Sequence, residues 1–414
     1  MKNNPSGAKS LFDLDAAYDF LDFQRMNIRL NELTREFEVS GLPEEYKADK
    51  LNCFFTLAYD TVRQTCSTTR AHSDDLFKLI GTSRSYNPIQ EKLLSVVPDK
   101  KDHLSELFEI LNLPADDVLS RRLIHKWCLQ AIALLYNSET HPCSADGLLV
   151  LVGGQGIGKT SIVAQLGGGS RFCKTGLSVD PRSKDSLISA ISCWIGELAE
   201  LESTLRGDLQ LLKAFITADS DEIRHPYDRF AVRTPRHSSY IGTVNSADFL
   251  IDTTGNRRFW TVPLKSVDLE RLKKFDAWQL WKQVEIEFSE YVLQHTSDSC
   301  FRLTAEEQRL LAERNSCHEK ALPGEQEVRD ILGAFSDNLN YRLVWTTITE
   351  FKECFSELKP YSSAKIAKVL DKMKITAERR RINGAVVRAR QLPLPKCVAA
   401  NWQKSENVND VYSL

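Results

Sequence analysis

The chain lacks an excess of either charge: 54 Lys and Arg stand against 56 Asp and Glu over 414 residues, a formal net charge of −2. That balance excludes a uniformly basic nucleic-acid coat and an acidic solvating tail. No C-x-x-C pair occurs among the ten cysteines, which are scattered from Cys53 to Cys397 without metal-ligand spacing. They read as buried, reduced thiols, which favours a cytoplasmic location over a disulfide scaffold or a zinc module. The opening MKNNPSGAKSLFDLD has no apolar h-region, so no secretory signal is expected there. Outside helices the most apolar run is Leu148–Val152, far too short to span a bilayer. Repeats and low-complexity tracts are also missing.

What is present is an ordinary globular composition, long enough for two or three domains. Helical spacing dominates residues 1–140 and predicts an all-α region in two parts, 1–85 and 86–140, divided at Tyr86–Asn87–Pro88. Leu51, Phe54, Phe55, Ala58 and Val62 share one helix face, and Leu123 to Leu135 form a more fully buried helix. From Gly147 short apolar runs appear at Leu148–Val152, Ile191–Ile195, Tyr240–Val244 and Phe259–Val262, with helical patterns between them. Strands alternating with helices predict an α/β core with a largely parallel sheet over 141–265. A long helix pattern runs from Pro263 to about Leu293, inside a helical connector spanning 266–320. Residues 321–414 read as helices ending in a hairpin at Asn383–Gly384, because Asn-Gly supplies the positive φ angles of a type I′ turn.

The strongest local signal follows LLVLV. Gly153, Gly154, Gln155, Gly156, Ile157, Gly158, Lys159 and Thr160 match G-x-x-x-x-G-K-[ST], and Ser161 leads into a helix. Glycines let backbone N–H groups curl around a phosphate, and the helix N-terminus adds partial positive charge. In this pattern Lys159 reaches the β- and γ-phosphates of ATP and the Thr160 hydroxyl ligates Mg²⁺. Ile191–Ile195 then runs into Glu197 and Glu200. A carboxylate ending a neighbouring strand suits the Mg²⁺ shell, and one three residues on suits polarisation of the attacking water. Either glutamate could instead be an ordinary exposed one. Asn245 ends the next strand, placed for the γ-phosphate or the lytic water, or else as a turn or cap residue. Arg257 and Arg258 follow, and one of them would neutralise transition-state charge, often in a neighbouring subunit.

Two segments suit nucleic acid. Between Asp219 and His237 lie Arg224, Tyr227, Arg229, Arg233 and Arg236, with Lys213 ahead of them. Arginines with an interleaved aromatic fit a phosphate-tracking, base-stacking hairpin, while pairing with Asp219, Asp221, Glu222 and Asp228 is the competing use. Residues 359–396 carry eleven basic side chains against two acidic ones, a local +9, whereas residues 1–50 sum to −3. Ser362 or Ser363 can cap a helix bearing Lys365 and Lys368, and Arg379, Arg380, Arg381 and Arg388 flank the Asn-Gly turn. Helices followed by a β-hairpin wing are the pattern of a winged helix, and a solvated basic face is the alternative.

Together the motifs GGQGIGKT (153–160), WIGELAELE (194–202), LLKAFITADSDEIRHPYDRF (211–230), PRHSSYIGTVN (235–245) and TTGNRRFW (253–260) resemble the virulence-associated protein E family of P-loop ATPases. The resemblance covers roughly residues 86–315, and departs where Val97–Lys101 replaces the family's tryptophan–aspartate–glycine turn. Such proteins occur on prophages, phage satellites and other bacterial mobile elements. They are similar to superfamily 3 helicases and to the helicase halves of primase–helicases, ring-forming AAA+-like motors. The resemblance implies Lys159 and Thr160 as nucleotide ligands, Glu197 and Glu200 as the acidic pair, Asn245 as sensor and Arg257 or Arg258 as finger. It further implies ATP and Mg²⁺, single-stranded and origin duplex DNA, a homo-hexamer or similar ring, and the cytoplasm of a bacterial host. The first 85 residues show no pair of metal-binding carboxylates on a strand, so no primase activity is expected, and a separate primase is the expected partner. The expected function is an ATP-dependent DNA helicase or translocase replicating a mobile element. A DNA-responsive ATPase switch or loader that does not unwind is the alternative.

Overall fold

A computed structural model describes residues 9–180, 182–199, 201, 209–224, 230–245, 249–250, 256–295, 299–318, 322–337, 341–382, 384–396 and 406–407. The chain falls into two compact units, one of residues 1–249 and 255–317 and the other of residues 250–254 and 318–414.

The first unit begins with β1 (Ser10–Leu11) and α1 (Leu14–Gln24), whose first turn is closed by the Asp13 carboxylate accepting from the Ala16 N–H. Next, β2 (Asn27–Leu30) and β3 (Phe37–Ser40) pair antiparallel, followed by α2 (Lys50–Thr65), β4 (Cys66–Ser67) and α3 (Arg70–Ser83). Of the predicted stripe, Phe54, Phe55, Ala58 and Val62 are buried and Leu51 is half-buried against them, and with Phe12, Leu21, Phe77 and Ile80 they form a separate core. The region is therefore not all-α. In β2 the buried residues Ile28 and Leu30 alternate with half-buried neighbours, a period of two over too few residues to stand out from helical spacing. Three helices lead onward: α4 (Pro88–Ser95), α5 (His103–Ile110) and α6 (Val118–Leu135). The last is buried almost all round, and its Trp127 indole donates to Tyr240 O at 3.0 Å.

The central layer is built from β5 (Leu148–Val152), β6 (Cys173–Leu177), β7 (Ile195–Leu198), β10 (Ser239–Val244) and β11 (Phe259–Pro263). Between them come α7 (Lys159–Leu166), α8 (Lys184–Ile191), α9 (Leu209–Ile216) and an antiparallel ribbon, β8 (Ser220–Ile223) with β9 (Val232–Pro235). All five sheet strands run parallel in the order β11-β5-β10-β7-β6. Strands β5, β7 and β10 are buried along their whole length, as parallel strands covered on both faces must be.

Two expectations shift here. The acidic strand starts at Ile195 rather than ending there, because Ser183 caps a helix that runs on to Ile191. The long helix after Pro263 is two, α10 (Leu269–Lys274) and α11 (Ala277–Gln294), since the Asp276 carboxylate caps a fresh start by accepting from Trp278 and Gln279. The unit closes with α12 (Ala305–Ser316), started by a Thr304/Glu307 capping box.

The second unit contains α13 (Glu325–Asp337), β12 (Tyr341–Thr346), α14 (Ile348–Cys354), α15 (Ser363–Lys372), β13 (Glu378–Ile382), β14 (Ala385–Pro395) and β15 (Glu406–Asn407). Its strands pair antiparallel in the order β12-β14-β13-β15. Ile382 pairs with Ala385, closing the expected hairpin around Gly384 at φ +81°; Asn383 lies outside the described residues. Val328, Phe351, Ile366, Leu370, Leu392 and Leu394 fill the core under one face. Strand β12 breaks the expected run of helices. Among the described residues no helix is long and apolar enough to cross a membrane.

Candidate functional site

The glycine-rich loop leaves β5 at Val152, the C-terminal end of the strand, and its Gly153 N–H donates to Val244 O at 3.2 Å. Gly158 takes φ +103°, a left-handed conformation that favours glycine. Helix α7 starts at Lys159, so Lys159, Thr160 and Ser161 lie in its first turn, the end of a helix that carries partial positive charge. Gly154, Gln155 and Gly156 are exposed and Ile157 is half-buried.

Lys159 is buried, and its Nζ donates to Gly153 O at 2.7 Å, Gly154 O at 2.8 Å and Asn245 Oδ1 at 2.9 Å. The ammonium thus spans the loop and the end of β10, joining two residues 86 positions apart. Thr160 Oγ1 donates to Glu197 Oε1 at 2.7 Å. Glu197 is 1% exposed, and it also accepts from Thr243 Oγ1 at 3.1 Å and from the Gly176 N–H at 3.3 Å. Three donors offset the cost of burying that carboxylate. Burial, with the charge of Glu197 nearby, pushes the neighbouring Cys173 thiol up to about 11. Hydroxyl and carboxylate oxygens 2.7 Å apart at a phosphate loop are the hard donors Mg²⁺ takes when phosphate and water complete its shell. Among the described residues no group of three His, Cys, Asp or Glu forms a metal cage of protein ligands alone.

Not every expected residue joins this cluster. Glu200 lies outside the described residues. Arg257, exposed, and Arg258, half-buried, occupy a single 3-10 turn, Asn256–Arg258, immediately before β11. Phe259 is in register with Leu148 and Pro263 with Val152, so this turn sits at the sheet edge opposite the phosphate loop. Four residue steps at about 3.3 Å separate the two ends of β11 by about 13 Å. Neither arginine belongs to the phosphate site of its own chain.

In the ribbon β8–β9, Arg224 and Arg233 are exposed, and Arg233 Nε donates to Ser220 Oγ at 2.9 Å. Arg229 lies outside the described residues. Lys213 is buried in α9, so it does not join these arginines at the surface. Arg236 is buried too: its Nε donates to Asp221 Oδ2 at 2.8 Å, a second nitrogen pairs with Asp221 Oδ1, and its guanidinium lies 4.3 Å from the Phe215 ring centre. Here the competing salt-bridge use holds, and Arg236 pins the foot of the ribbon.

In the second unit Lys365 and Lys368 are exposed on α15, capped by Ser362. Arg379 is in register with Arg388 and Arg381 with Val386, so the three exposed arginines share one face of the hairpin. Arg380 points the other way, 4.0 Å from the Trp345 ring centre and 2.9 Å from Glu378, and is a packing residue.

Sequence reasoning missed Thr243, whose only signal is a hydroxyl two positions before Asn245 in an apolar strand. It also missed Arg314 and Asn315 of α12, which carried no motif. Asn315 Nδ2 donates to Asn256 O at 2.9 Å and to Phe259 O at 3.0 Å, and Thr261 Oγ1 donates to Asn315 Oδ1 at 2.8 Å.

A family model described as Virulence-associated protein E-like domain matches residues 93–320. That is more than half of the chain, which therefore belongs to this family. A solved structure described as "The A form apo structure of NrS-1 C terminal region-CTR" is similar with a TM-score of 0.47 and 13% identity, covering 93% of this chain and 100% of that one. Another, "SCCmec type IV Cch - active helicase", has a TM-score of 0.38 and 12% identity, covering 73% and 71%. No curated protein matches the chain.

Proposed function

We propose that this chain is a Mg²⁺-dependent ATPase that drives a DNA helicase or translocase of superfamily 3 type, working as a homo-hexamer or similar ring. One observation carries the reading: Lys159 of the loop is bonded to Asn245, and Thr160 to Glu197, across three adjacent strands. A glycine-rich turn with an idle lysine needs no such partners. In the proposed cycle, ATP phosphates displace the Lys159 contacts to Gly153 O and Gly154 O, and the ammonium turns to the β- and γ-phosphates. Asn245, released from Lys159, is proposed to turn to the γ-phosphate or the lytic water. Thr160 and Glu197 would hold Mg²⁺, which neutralises charge building on the phosphates. Glu200 is proposed to polarise the water. Arg257 or Arg258 is proposed to act on the γ-phosphate of a neighbouring subunit, a reading supported by its distance from the loop of its own chain.

For DNA, the exposed Arg224 and Arg233 support a channel hairpin, with Arg229 proposed beside them. The order helix, strand, helix, helix and then three strands in the second unit, with the β13–β14 hairpin as the wing, supports a winged-helix reading of an AAA+-like motor's appended domain. Arginines directly opposite one another repel, so the Arg379–Arg388 pair costs stability unless an anion lies over it, and a duplex phosphate is the proposed anion. Replication of a mobile element inside a bacterial cell, with priming left to a separate primase, is the proposed setting. ATP turnover with and without single-stranded DNA, followed by strand displacement, tests the reading. Lys159→Ala is expected to abolish DNA-stimulated turnover; if it does not, the proposal fails. Turnover without displacement at saturating ATP would favour the switch or loader instead.

A further inference from the structure

We infer that Asn315 is a positioning residue that sets the arginine-bearing turn. This rests on the reading of Arg257 or Arg258 as the finger. Strand β11 lies at the edge of the parallel sheet, so among the described residues the outward carbonyls of Phe259 and Thr261 face no further strand. Helix α12 supplies the partners from two consecutive side chains. Asn315 takes Asn256 O and Phe259 O with its amide nitrogen, and Arg314 takes Thr261 O at 3.1 Å.

The amide orientation follows from its surroundings: two carbonyls can only accept, so the NH₂ faces them, and the Thr261 hydroxyl donates to the oxygen left over. Asn256 and Phe259 bracket Arg257 and Arg258, so one amide group holds both ends of the turn that carries the two arginines. Arg314 fixes the helix end in its turn, donating to Ser120 Oγ at 2.7 Å and to Asp117 Oδ1 at 2.6 Å. Asn315 is 1% exposed and its side chain bonds Asn256, Phe259 and Thr261 rather than Lys159, Thr160 or Glu197, so its effect on turnover is routed through the turn that bears the arginines.

The test uses the full chain and reads kcat, the KM for ATP and the melting temperature. Asn315→Ala is expected to lower kcat about 10- to 100-fold, the scale of a misplaced catalytic group, with KM changed less than about twofold. Thr261→Val keeps the strand's shape and frees only one side of the amide, so about a three- to tenfold fall is expected even if Asn315→Ala fails to fold. On a background of Arg257→Ala with Arg258→Ala, neither substitution is expected to lower kcat further, because the group they position is gone. Equal fractional losses on both backgrounds, or a loss expressed in KM, would overturn the inference. If the arginine double variant alone keeps native kcat, the finger reading fails first. If it loses kcat while Asn315→Ala and Thr261→Val do not, only the positioning role fails.

Discussion

Glu197 is a carboxylate held inside a protein by three donors from three different elements: Thr160 on α7, Thr243 on β10 and the Gly176 N–H on β6. The Thr243 hydroxyl, bonded to the same oxygen as Thr160, helps to aim the Glu197 carboxylate. Thr243→Val is expected to lower kcat about tenfold, the equivalent of one hydrogen bond to a charged group, with nucleotide binding largely kept. ATPase kinetics beside nucleotide titration would check this, and a change confined to binding would contradict it. Spacing around the glycine loop pointed directly to Lys159 and Thr160, because that motif is local. Thr243 was illegible, since a hydroxyl in an apolar strand acquires its meaning only from the strand that comes to lie beside it.

At the scale of elements, legibility followed burial. Strands β5, β10 and β11 were readable because they are apolar along their length and sit in the covered centre of the sheet or beside it. Strand β6 was not: its sequence CKTGL buries only Cys173, and Gly176 bends it at φ +70°. The ribbon β8–β9 could be anticipated from its arginines, but their division of labour could not. Arg236 is locked to Asp221 and Phe215 in the interior, while Arg233 stays exposed with a surface ion pair to Asp219 at 3.7 Å. Arg236→Ala strands the Asp221 carboxylate, and an unfolding free-energy loss of about 3–5 kcal/mol is expected. Arg233→Ala is expected to leave stability within about 0.5 kcal/mol and to weaken single-stranded DNA binding. Denaturant titration of both variants separates the two roles, and equal stability losses would refute the distinction.

Over the whole molecule the balanced net charge conceals a basic second unit. Only part of that charge is available, because Arg380 lies on Trp345, Arg390 is paired with Asp371 and Lys372 with Glu325. Replacing Arg379 and Arg388 by Ala is expected to flatten the salt dependence of duplex binding by about 0.9 in log–log slope for each phosphate no longer neutralised. An unchanged slope would remove that face from the proposed interface.

Glu325 ties the same unit together. Burial would raise its carboxyl, but the Leu322 N–H and the cations Arg329 and Lys372 hold it down at about 2. A carboxylate below its unfolded value adds stability that is complete above about pH 4.5 and is lost as pH falls toward 2. Acid titration of the native chain and of Glu325→Gln is expected to show a smaller pH dependence in the variant across that window. Identical profiles would exclude Glu325 as the source.

Residues close together in the chain made the phosphate loop, the helix caps and the α/β class readable, because backbone conformation and hydrophobic period are properties of short segments. The Thr243 and Gly176 donors to Glu197, the face shared by Arg379, Arg381 and Arg388, and the Asn315 bonds that bracket Arg257 and Arg258 were not readable that way. Each depends on strand order and register, and those are set by long-range packing that no local pattern encodes.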